Sequence, residues 1–285
     1  MTDGRHSVSL ISPLAAAGRA DEVVQRVSQA IQLGLFVDGE QLPPETEFAT
    51  QLGVSAMTLR EALATLRQQG LVETRRGRTG GTFVRRPAAP SVAVLRERLH
   101  GMTTSTLRDL IDEQFAVSGA AAKLAAARAS GASVRRLHTL VQQLTGAASL
   151  GSLIRADSRF HIEVAIASQS ERLTRLEVEL QTQLGELLWL PPETTGLAPV
   201  PDGPVSSGPV SNGLATGLLD QAAAADEHAA IAEAIAAEDG DRARLLAERH
   251  VERTLQRLTA MRLALPQRSQ PQSADGADGE ERGRG

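Results

Sequence analysis

Residues 44–86 read PETEFATQLGVSAMTLREALATLRQQGLVETRRGRTGGTFVRR and contain two short helical patterns followed by two β-type runs. The helical patterns cover about 44–52 and 55–69. They are separated by Gly53, and Gly70 ends the second one. Two short helices joined by a tight glycine turn are typical of a helix-turn-helix, so the sequence predicts this motif here.

A β-hairpin is predicted directly after the second helix. Residues 71–74 and 82–84 are β-type runs, and the glycine- and arginine-rich segment 75–81 between them is typical of a turn. A further helix is predicted over 19–34, where valine, isoleucine and leucine recur at helical spacing. Three helices and a hairpin in this order predict a winged helix-turn-helix over 19–86.

The first turn of the second helix carries the residue types that read DNA. In a winged helix-turn-helix this helix enters the major groove with its N-terminal residues near the base edges. Ser55 is the expected N-cap, and Thr58 and Arg60 can reach phosphates or bases. Arginine can contact guanine through two hydrogen bonds, which makes Arg60 the strongest candidate for base recognition.

The hairpin adds a local positive charge. Residues 71–86 carry five arginines and one glutamate, whereas the whole chain has a net charge of −4. Arginines contact phosphates, and glycines let the backbone approach the duplex closely. An isolated hairpin of this composition could equally be a solvated turn, so the helix-turn-helix before it carries the interpretation. The hairpin residues expected at the DNA are Arg75, Arg76, Arg78, Gly80 and Gly81.

The composition excludes several classes of protein. A chain of 285 residues with 41% hydrophobic residues is long enough for two domains with packed cores. The absence of cysteine excludes disulfides, thiolate catalysis and cysteine-ligated zinc. No apolar run approaches the roughly 18–20 residues of a membrane span, and the N-terminal residues lack the pattern of a signal peptide. We therefore expect a cytoplasmic protein that makes no membrane contact.

The chain as a whole is predicted to be mainly α-helical. An all-α sensor bundle is expected over 104–262, where alanine and leucine dominate. Residues 1–18 are predicted to form a mobile arm and 87–103 a linker. Residues 191–216 hold six of the 13 prolines and are predicted to form a long loop, and 263–285 are predicted to be a disordered tail.

The N-terminal pattern resembles the GntR family of bacterial transcription regulators over about 19–86. The resemblance implies a homodimer that binds a pseudo-palindromic operator on double-stranded DNA through two recognition helices. The family often has arginine where this chain has Thr46 and Ala56, two positions that commonly contact DNA, while Arg60 keeps a third. Thr46 is therefore counted among the DNA-binding residues, and the operator is expected to deviate from the usual one. The matching residues are Leu42-Pro43-Pro44-Glu45-Thr46-Glu47, Leu52-Gly53-Val54-Ser55, Leu59-Arg60-Glu61-Ala62-Leu63, Gly70-Leu71-Val72 and Gly80-Gly81-Thr82-Phe83-Val84.

Three histidines and one aspartate have spacings that would bring them together in a helical bundle. Asp157 and His161 are four residues apart, which places them on one helix face, about 6 Å apart at Cβ. His228 and His250 each lie 11 residues from Asp239. In an antiparallel helix pair both would stand about 16 Å from that turn, at the same height. Such a set suits Zn²⁺, Ni²⁺, Mn²⁺ or Fe²⁺, although a single helical histidine is more often a surface or hydrogen-bonded residue.

The same region resembles the FCD domain, the ligand-binding half of the FadR subgroup of the GntR family. The resemblance covers about 104–262 and implies that the four predicted ligands hold a divalent cation, which a small carboxylate effector can also ligate. Its matches are Asp157…Phe160-His161, Glu227-His228…Ile231…Ala234-Ile235, Asp239…Asp241 and His250.

The first sensor helix departs from that resemblance. Relatives usually present an arginine and, four residues on, a glutamate, where this chain has Gln114 and Ser118. Arginine can pair with a carboxylate through two hydrogen bonds, whereas glutamine can only form neutral ones. The effector is therefore expected to be less acidic or to be anchored from elsewhere. The candidate effector-binding residues are Gln114, Arg108 and Arg155.

These patterns together predict a transcription regulator, most simply a repressor, controlled by a small organic acid or related metabolite at or near the metal. Two alternatives stay open: a metal-dependent hydrolase, and an architectural DNA-binding protein without an effector. Asp157 and His161 do not form an HExxH motif, and no nucleophile elbow, Walker loop or dinucleotide fingerprint occurs in a supporting context. An enzyme is therefore not expected.

Overall fold

The computed structural model describes residues 20–77, 80–86, 90–191 and 212–264. The predicted arm 1–18, Arg78, and most of the predicted loop and tail lie outside these residues. Within them, a winged helix-turn-helix with a short β-hairpin comes first, and an all-helical domain follows. The predicted fold class, mainly α with an N-terminal winged helix-turn-helix, is confirmed.

The winged unit, called the head below, contains three helices and one hairpin. The two strands pair antiparallel, from Val72 opposite Val84 to Arg75 opposite Gly81. A single core of aliphatic side chains and two phenylalanines, Phe36 and Phe48, joins all of these elements. The bounds are α1 Ala20–Gln32, α2 Glu45–Leu52, α3 Ala56–Gln68, β1 Val72–Arg75 and β2 Gly81–Val84.

The turn between α2 and α3 is made by Gly53. Its φ is 68°, a left-handed conformation that glycine adopts without steric cost. Val54 donates its backbone N–H to the carbonyl of Ala49 at 3.0 Å. Ser55 then begins α3 by accepting the backbone N–H of Thr58 at 3.0 Å. This turn fixes the direction in which the first turn of α3 leaves the head.

The described part of the C-terminal domain is a helical bundle. Serine or threonine side chains cap the N-termini of its first five helices, which satisfies a backbone N–H that the helix itself leaves unpaired. The bounds are α4 Val92–Gly101, α5 Thr104–Arg128, α6 Gly131–Thr145, α7 Leu150–Ala167, α8 Glu171–Leu184, a 3₁₀ helix Leu187–Trp189, α9 Asn212–Ala236 and α10 Gly240–Ala264.

The helix α7 is the central element of this bundle. It packs against α5, α6 and α8, and most of its side chains are buried. The helices α9 and α10 pack against each other, while α10 lies along α5 and α9 lies against α6. This arrangement places the inner faces of α7, α9 and α10 around one point in the bundle.

The predicted linker 87–103 contains a helix, α4. Leu95 and Leu99 on it are each 1% exposed and belong to the sensor core. Arg98 donates to the backbone carbonyl of Gln183 at 2.6 Å, which ties α4 to the end of α8. Pro87 and Pro90, which precede α4, indicated a linker. Packing against the bundle nevertheless stabilises this helix, which is only 10 residues long.

Two further boundaries differ from the predicted ones. The helix α9 begins at Asn212, so 212–216 of the predicted loop are helical. The helix α10 extends to Ala264, so the first two residues of the predicted tail are helical as well.

Candidate DNA-binding surface and candidate metal centre

The first turn of α3 presents two exposed side chains. Leu59, Leu63 and Leu66 bury one face of the helix in the core of the head. Met57 and Arg60 lie on the exposed side. Ser55 and Thr58 pair their hydroxyl groups at 2.9 Å, so part of their hydrogen-bonding capacity is used within the cap.

Arg60 is held by an acidic residue of the preceding helix. Its Nε donates to Oε2 of Glu45 at 2.8 Å, and both side chains are largely exposed. Thr46 follows Glu45 on α2 and is exposed too. The three residues therefore form one continuous polar surface across the helix-turn-helix.

The arginines of the hairpin differ in their contacts. The guanidinium of Arg75 lies 2.6 Å from Glu73 and stands over the ring of Phe83, 4.3 Å from the ring centre. Hydrogen bonds from Arg75 and Arg85 lower the pKa of Glu73, so its negative charge holds both arginines on the strands. Arg76 has no such contact among the described residues and is exposed. Among the described arginines of the hairpin strands and turn, its guanidinium is therefore not held by Glu73.

The turn end of the hairpin is closely packed against Gln41. Gln41 donates its side-chain amide to the carbonyl of Gly80 at 3.1 Å. A Cβ atom at Gly81 would fall 2.4 Å from Nε2 of Gln41, so no larger residue fits there without movement. The two predicted wing glycines thus shape the hairpin. Arg78 lies outside the described residues.

The four predicted metal ligands meet in the centre of the sensor bundle. Asp157 and His161 come from α7, His228 from α9 and His250 from α10, and all four are buried. One ligand atom from each residue can be chosen so that all lie within 4.8 Å of one another. Nε2 of His228 lies 3.3 Å from Nε2 of His250 and 3.5 Å from Oδ1 of Asp157. The sequence predicted this set from helix spacing together with the assumption that the two helices carrying His228 and His250 pack antiparallel.

Residues around the cluster orient two of the imidazoles. Oε2 of Glu227 lies 2.6 Å from Nδ1 of His250, and Arg253 pairs with the same carboxylate. An Nδ1–H donated to Glu227 leaves Nε2 of His250 with its lone pair toward the cluster. The ring of Phe160 stacks on His228 with centres 4.1 Å apart, which fixes the plane of that imidazole.

Burial sets the charge of the cluster. Burial lowers the pKa of His161 and of His228 well below the usual value, so both imidazoles are neutral at pH 7 and keep a lone pair. Burial raises the pKa of Asp157 to about 6, against the opposing effect of His250. Neutral imidazoles and a carboxylate are the forms that bind a metal ion.

The donor set fits a divalent cation. Oδ2 of Asp157, Nε2 of His161 and Nδ1 of His228 are buried without a hydrogen-bond partner among the described residues. Buried polar atoms left unpaired destabilise a fold, and a cation in the cluster would satisfy Nε2 of His161. His228 faces the cluster through Nε2, so its Nδ1 would not be a ligand. Three nitrogen ligands and one oxygen ligand suit a borderline-soft transition metal better than Mg²⁺ or Ca²⁺.

A second buried polar group adjoins the cluster and was missed by the sequence analysis. Ser118 donates its hydroxyl to Glu177 at 3.0 Å, and Gln181 donates its amide to the same carboxylate at 2.9 Å. Burial raises the pKa of Glu177. A cavity of about 10 Å³, room for one water, separates this group from His161. Glu177 lies on the apolar stripe of α8 between Leu173 and Leu184, and this unusual position is a signal the sequence did contain.

The candidate effector residues lie in three different environments. Gln114 is 1% exposed, one helical turn before Ser118 on α5, and its Oε1 has no hydrogen-bond partner within the described ranges. Arg108 is exposed on the first turns of α5. Arg155 lies against the head, where a Cβ at Gly34 would fall 2.9 Å from its Cδ. The structure therefore places only Gln114 beside the buried polar group.

Comparison with known proteins agrees with this geometry. Residues 19–84 match the family described as bacterial regulatory proteins, gntR family, and residues 109–201 match the FCD domain. A protein of Mycobacterium gastri described as the HTH-type transcriptional regulator RmpR is 37% identical over 247 residues, which cover 87% of this chain and 82% of the relative. The chain belongs to the GntR family.

The chain is also similar to one further relative and to a solved structure. A protein of Escherichia coli described as an L-lactate dehydrogenase operon regulatory protein is 32% identical over 155 residues, 53% of this chain and 59% of the relative. The solved structure of E. coli McbR/YncC is 15% identical with a TM-score of 0.48, covering 85% of this chain and 97% of that one. This GntR protein is a DNA-binding transcription regulator with an FCD domain, and its family and relatives are not enzymes. No described helix has the length and apolarity that crossing a membrane requires.

Proposed function

We propose that this GntR regulator is a metal-dependent repressor whose operator affinity is set by a small carboxylate-bearing effector. The observation that carries the proposal is the convergence of one carboxylate and three histidines inside the FCD-type bundle. Nε2 of His161 is buried at this cluster without a hydrogen-bond partner among the described residues. An unpaired nitrogen in the core costs free energy, and binding of a metal ion by that nitrogen would offset this cost.

The metal would be held by Asp157, His161, His228 and His250. Zn²⁺, Ni²⁺, Mn²⁺ and Fe²⁺ all accept such ligands. When bound, the metal would supply a Lewis-acidic centre with positions left for a carboxylate. The chain's own residues orient that centre, because Glu227 fixes the tautomer of His250 and Phe160 fixes the plane of His228. Gln114 lies on the face of α5 from which it could hydrogen-bond an effector.

The operator contacts are assigned to the exposed surface of the helix-turn-helix and to the wing. α3 would read base edges in the major groove, and the wing arginines would bind phosphates. A homodimer would place two such heads on a pseudo-palindromic operator. The proposed contact residues are Thr46, Ser55, Thr58, Arg60, Arg75, Arg76, Arg78, Gly80 and Gly81.

Elemental analysis of the purified full-length protein, prepared without chelators, tests the metal site. We expect about one transition metal per chain in the wild type and little in His228→Ala. His138→Ala is the matched control, because His138 is a half-exposed histidine that pairs with Glu233 outside the cluster. A metal-free wild type, or full occupancy in His228→Ala, would contradict the four-ligand site.

Transcription tests the regulatory sign separately. Deletion of the gene should raise transcription from promoters that overlap its operators, because a repressor blocks polymerase there. Lowered transcription from those promoters would identify an activator instead. The same strains grown with candidate carboxylates would show whether an effector relieves the block.

A further inference from the structure

The first turn of α3 exposes a large apolar side chain that the core of the head does not use. Met57 is 66% exposed, and it is one of five exposed large hydrophobic residues within the described part of the chain. Its helix buries Leu59, Ala62 and Leu63 on the other side. Met57 therefore contributes little to the stability of the fold.

The position of Met57 matters more than its exposure. Single exposed apolar residues are common on protein surfaces and need no explanation. Met57, however, is the second residue of α3 and lies two residues after Ser55, which caps the helix. Arg60 lies three residues on and is also exposed, so both side chains project from the same side of the first helical turn. This is the part of the helix that enters the major groove in a helix-turn-helix.

The major groove offers one apolar group, the C5-methyl of thymine. Polar and charged side chains read the donors and acceptors of the other bases, but they gain little from a methyl group. The thioether of methionine is unbranched and flexible, so it can pack against such a group at an irregular surface. Ala56 beside it carries no polar side chain that would compete.

We propose that Met57 is a specificity-determining residue that packs against the C5-methyl group of a thymine in the operator. Arg60 supplies polar recognition and Met57 supplies apolar recognition at a neighbouring base pair. The inference rests on α3 being the recognition helix, which the membership of the GntR family supports.

Deoxyuridine provides the sharpest test, because it lacks only the methyl group and keeps the base pairing of thymine. The full-length protein first selects its best duplexes from a random-sequence library. Each thymine of the selected duplex is then replaced singly by deoxyuridine, and binding is measured for the wild type and Met57→Ala. At one position in each half of the recognised sequence we expect the wild type to lose about threefold to fivefold in affinity, the worth of one buried methyl group.

Met57→Ala should show no further loss at that same position, because the methyl group then has no partner to lose. Val37→Ala is the control: Val37 is 50% exposed in the head but lies outside α3, so this variant should keep the wild-type response. Wild-type binding that is indifferent to every deoxyuridine, or an equal loss in Met57→Ala, would overturn the proposal. A library that yields no enriched sequence would contradict sequence-specific binding itself, and the role of Met57 with it.

Discussion

Arg155 and Asp157 lie two residues apart on α7 and face opposite sides of that helix. Asp157 is 2% exposed in the centre of the histidine cluster. The side chain of Arg155 lies against Gly34 of the head, whose φ of 71° and lack of a side chain leave room for it. Successive helical residues are rotated by 100°, so two residues apart is about half a turn. One rigid helix thus contacts both the proposed metal site and the DNA-binding head.

Arg155→Ala should uncouple the two domains. Coupling of about 1–3 kcal/mol would let Zn²⁺ change operator affinity about 5–150-fold in the wild type. Removing Arg155 deletes a contact with Gly34. The factor by which Zn²⁺ changes operator affinity should therefore fall toward one, while the metal content stays the same. Titrations of a duplex selected from a random-sequence library, with and without Zn²⁺, measure this ratio of affinities. Arg172→Ala, an exposed change on α8, is the control, and an unchanged factor in Arg155→Ala would place the coupling elsewhere.

Glu227→Gln should weaken metal binding without emptying the site. The carboxylate holds Nδ1 of His250 at 2.6 Å and so keeps the lone pair of its Nε2 toward the cluster. Loss of such a partner costs about 10–100-fold in metal affinity. Competition with a chromophoric chelator measures this change. Glu233→Gln is the matched control. Glu233 lies on α9 like Glu227 and also contacts a histidine, Nε2 of His138 on α6, which is outside the cluster. Equal affinities for Glu227→Gln and Glu233→Gln would argue against an orienting role.

Arg60→Ala should weaken operator binding by about 1–3 kcal/mol and relax the preference at one base pair. Glu45→Gln should reduce the same preference less, because Glu45 only orients the guanidinium through its 2.8 Å contact. Selection from a random library with each variant measures both effects. Arg67→Ala changes the same residue type in the last turn of α3 and should leave the preference intact. A uniform loss across all sequences would instead mean that Arg60 binds a phosphate.

Arg76→Ala should weaken binding to all DNA sequences equally. Arg76 is exposed, and a phosphate contact carries no sequence information. Its loss should reduce the slope of log K against log salt by about 1. Titrations of specific and unrelated duplexes between 50 and 200 mM salt (about the range in which such contacts dominate) measure the slope. A loss confined to the selected sequence would show that the wing reads bases.

Recognition of the head required only short-range information. Gly53, the Ser55 cap and the glycine-rich hairpin act through backbone angles and hydrogen bonds within a few residues, and these are legible in sequence order. The pair Asp157 and His161 was equally local, since helical periodicity puts residues four apart on one face. The meeting of His228 with His250 needed one added assumption, that α9 and α10 pack side by side.

Other contacts in the molecule could not be predicted from short-range sequence patterns. Glu177 is buried because α5 covers its face of α8, and its partner Ser118 is 59 residues away in sequence. Arg155 was a candidate for the effector pocket, but the rotation of α7 in the bundle directs it to the head. Pro87 and Pro90 led to the prediction of a linker, and the helix α4 within it was missed because its stability comes from packing against the bundle.

The sequence by itself determined the family, the mainly α fold with its winged head and the identity of four residues that can bind a metal. Each of these depends on residue types at fixed local spacing. The tertiary structure alone decided that Glu227 orients His250, that Arg60 rests on Glu45 and that Arg155 lies on Gly34. These contacts depend on how separate elements pack, and packing sets the distance between atoms whose residues are far apart in the chain.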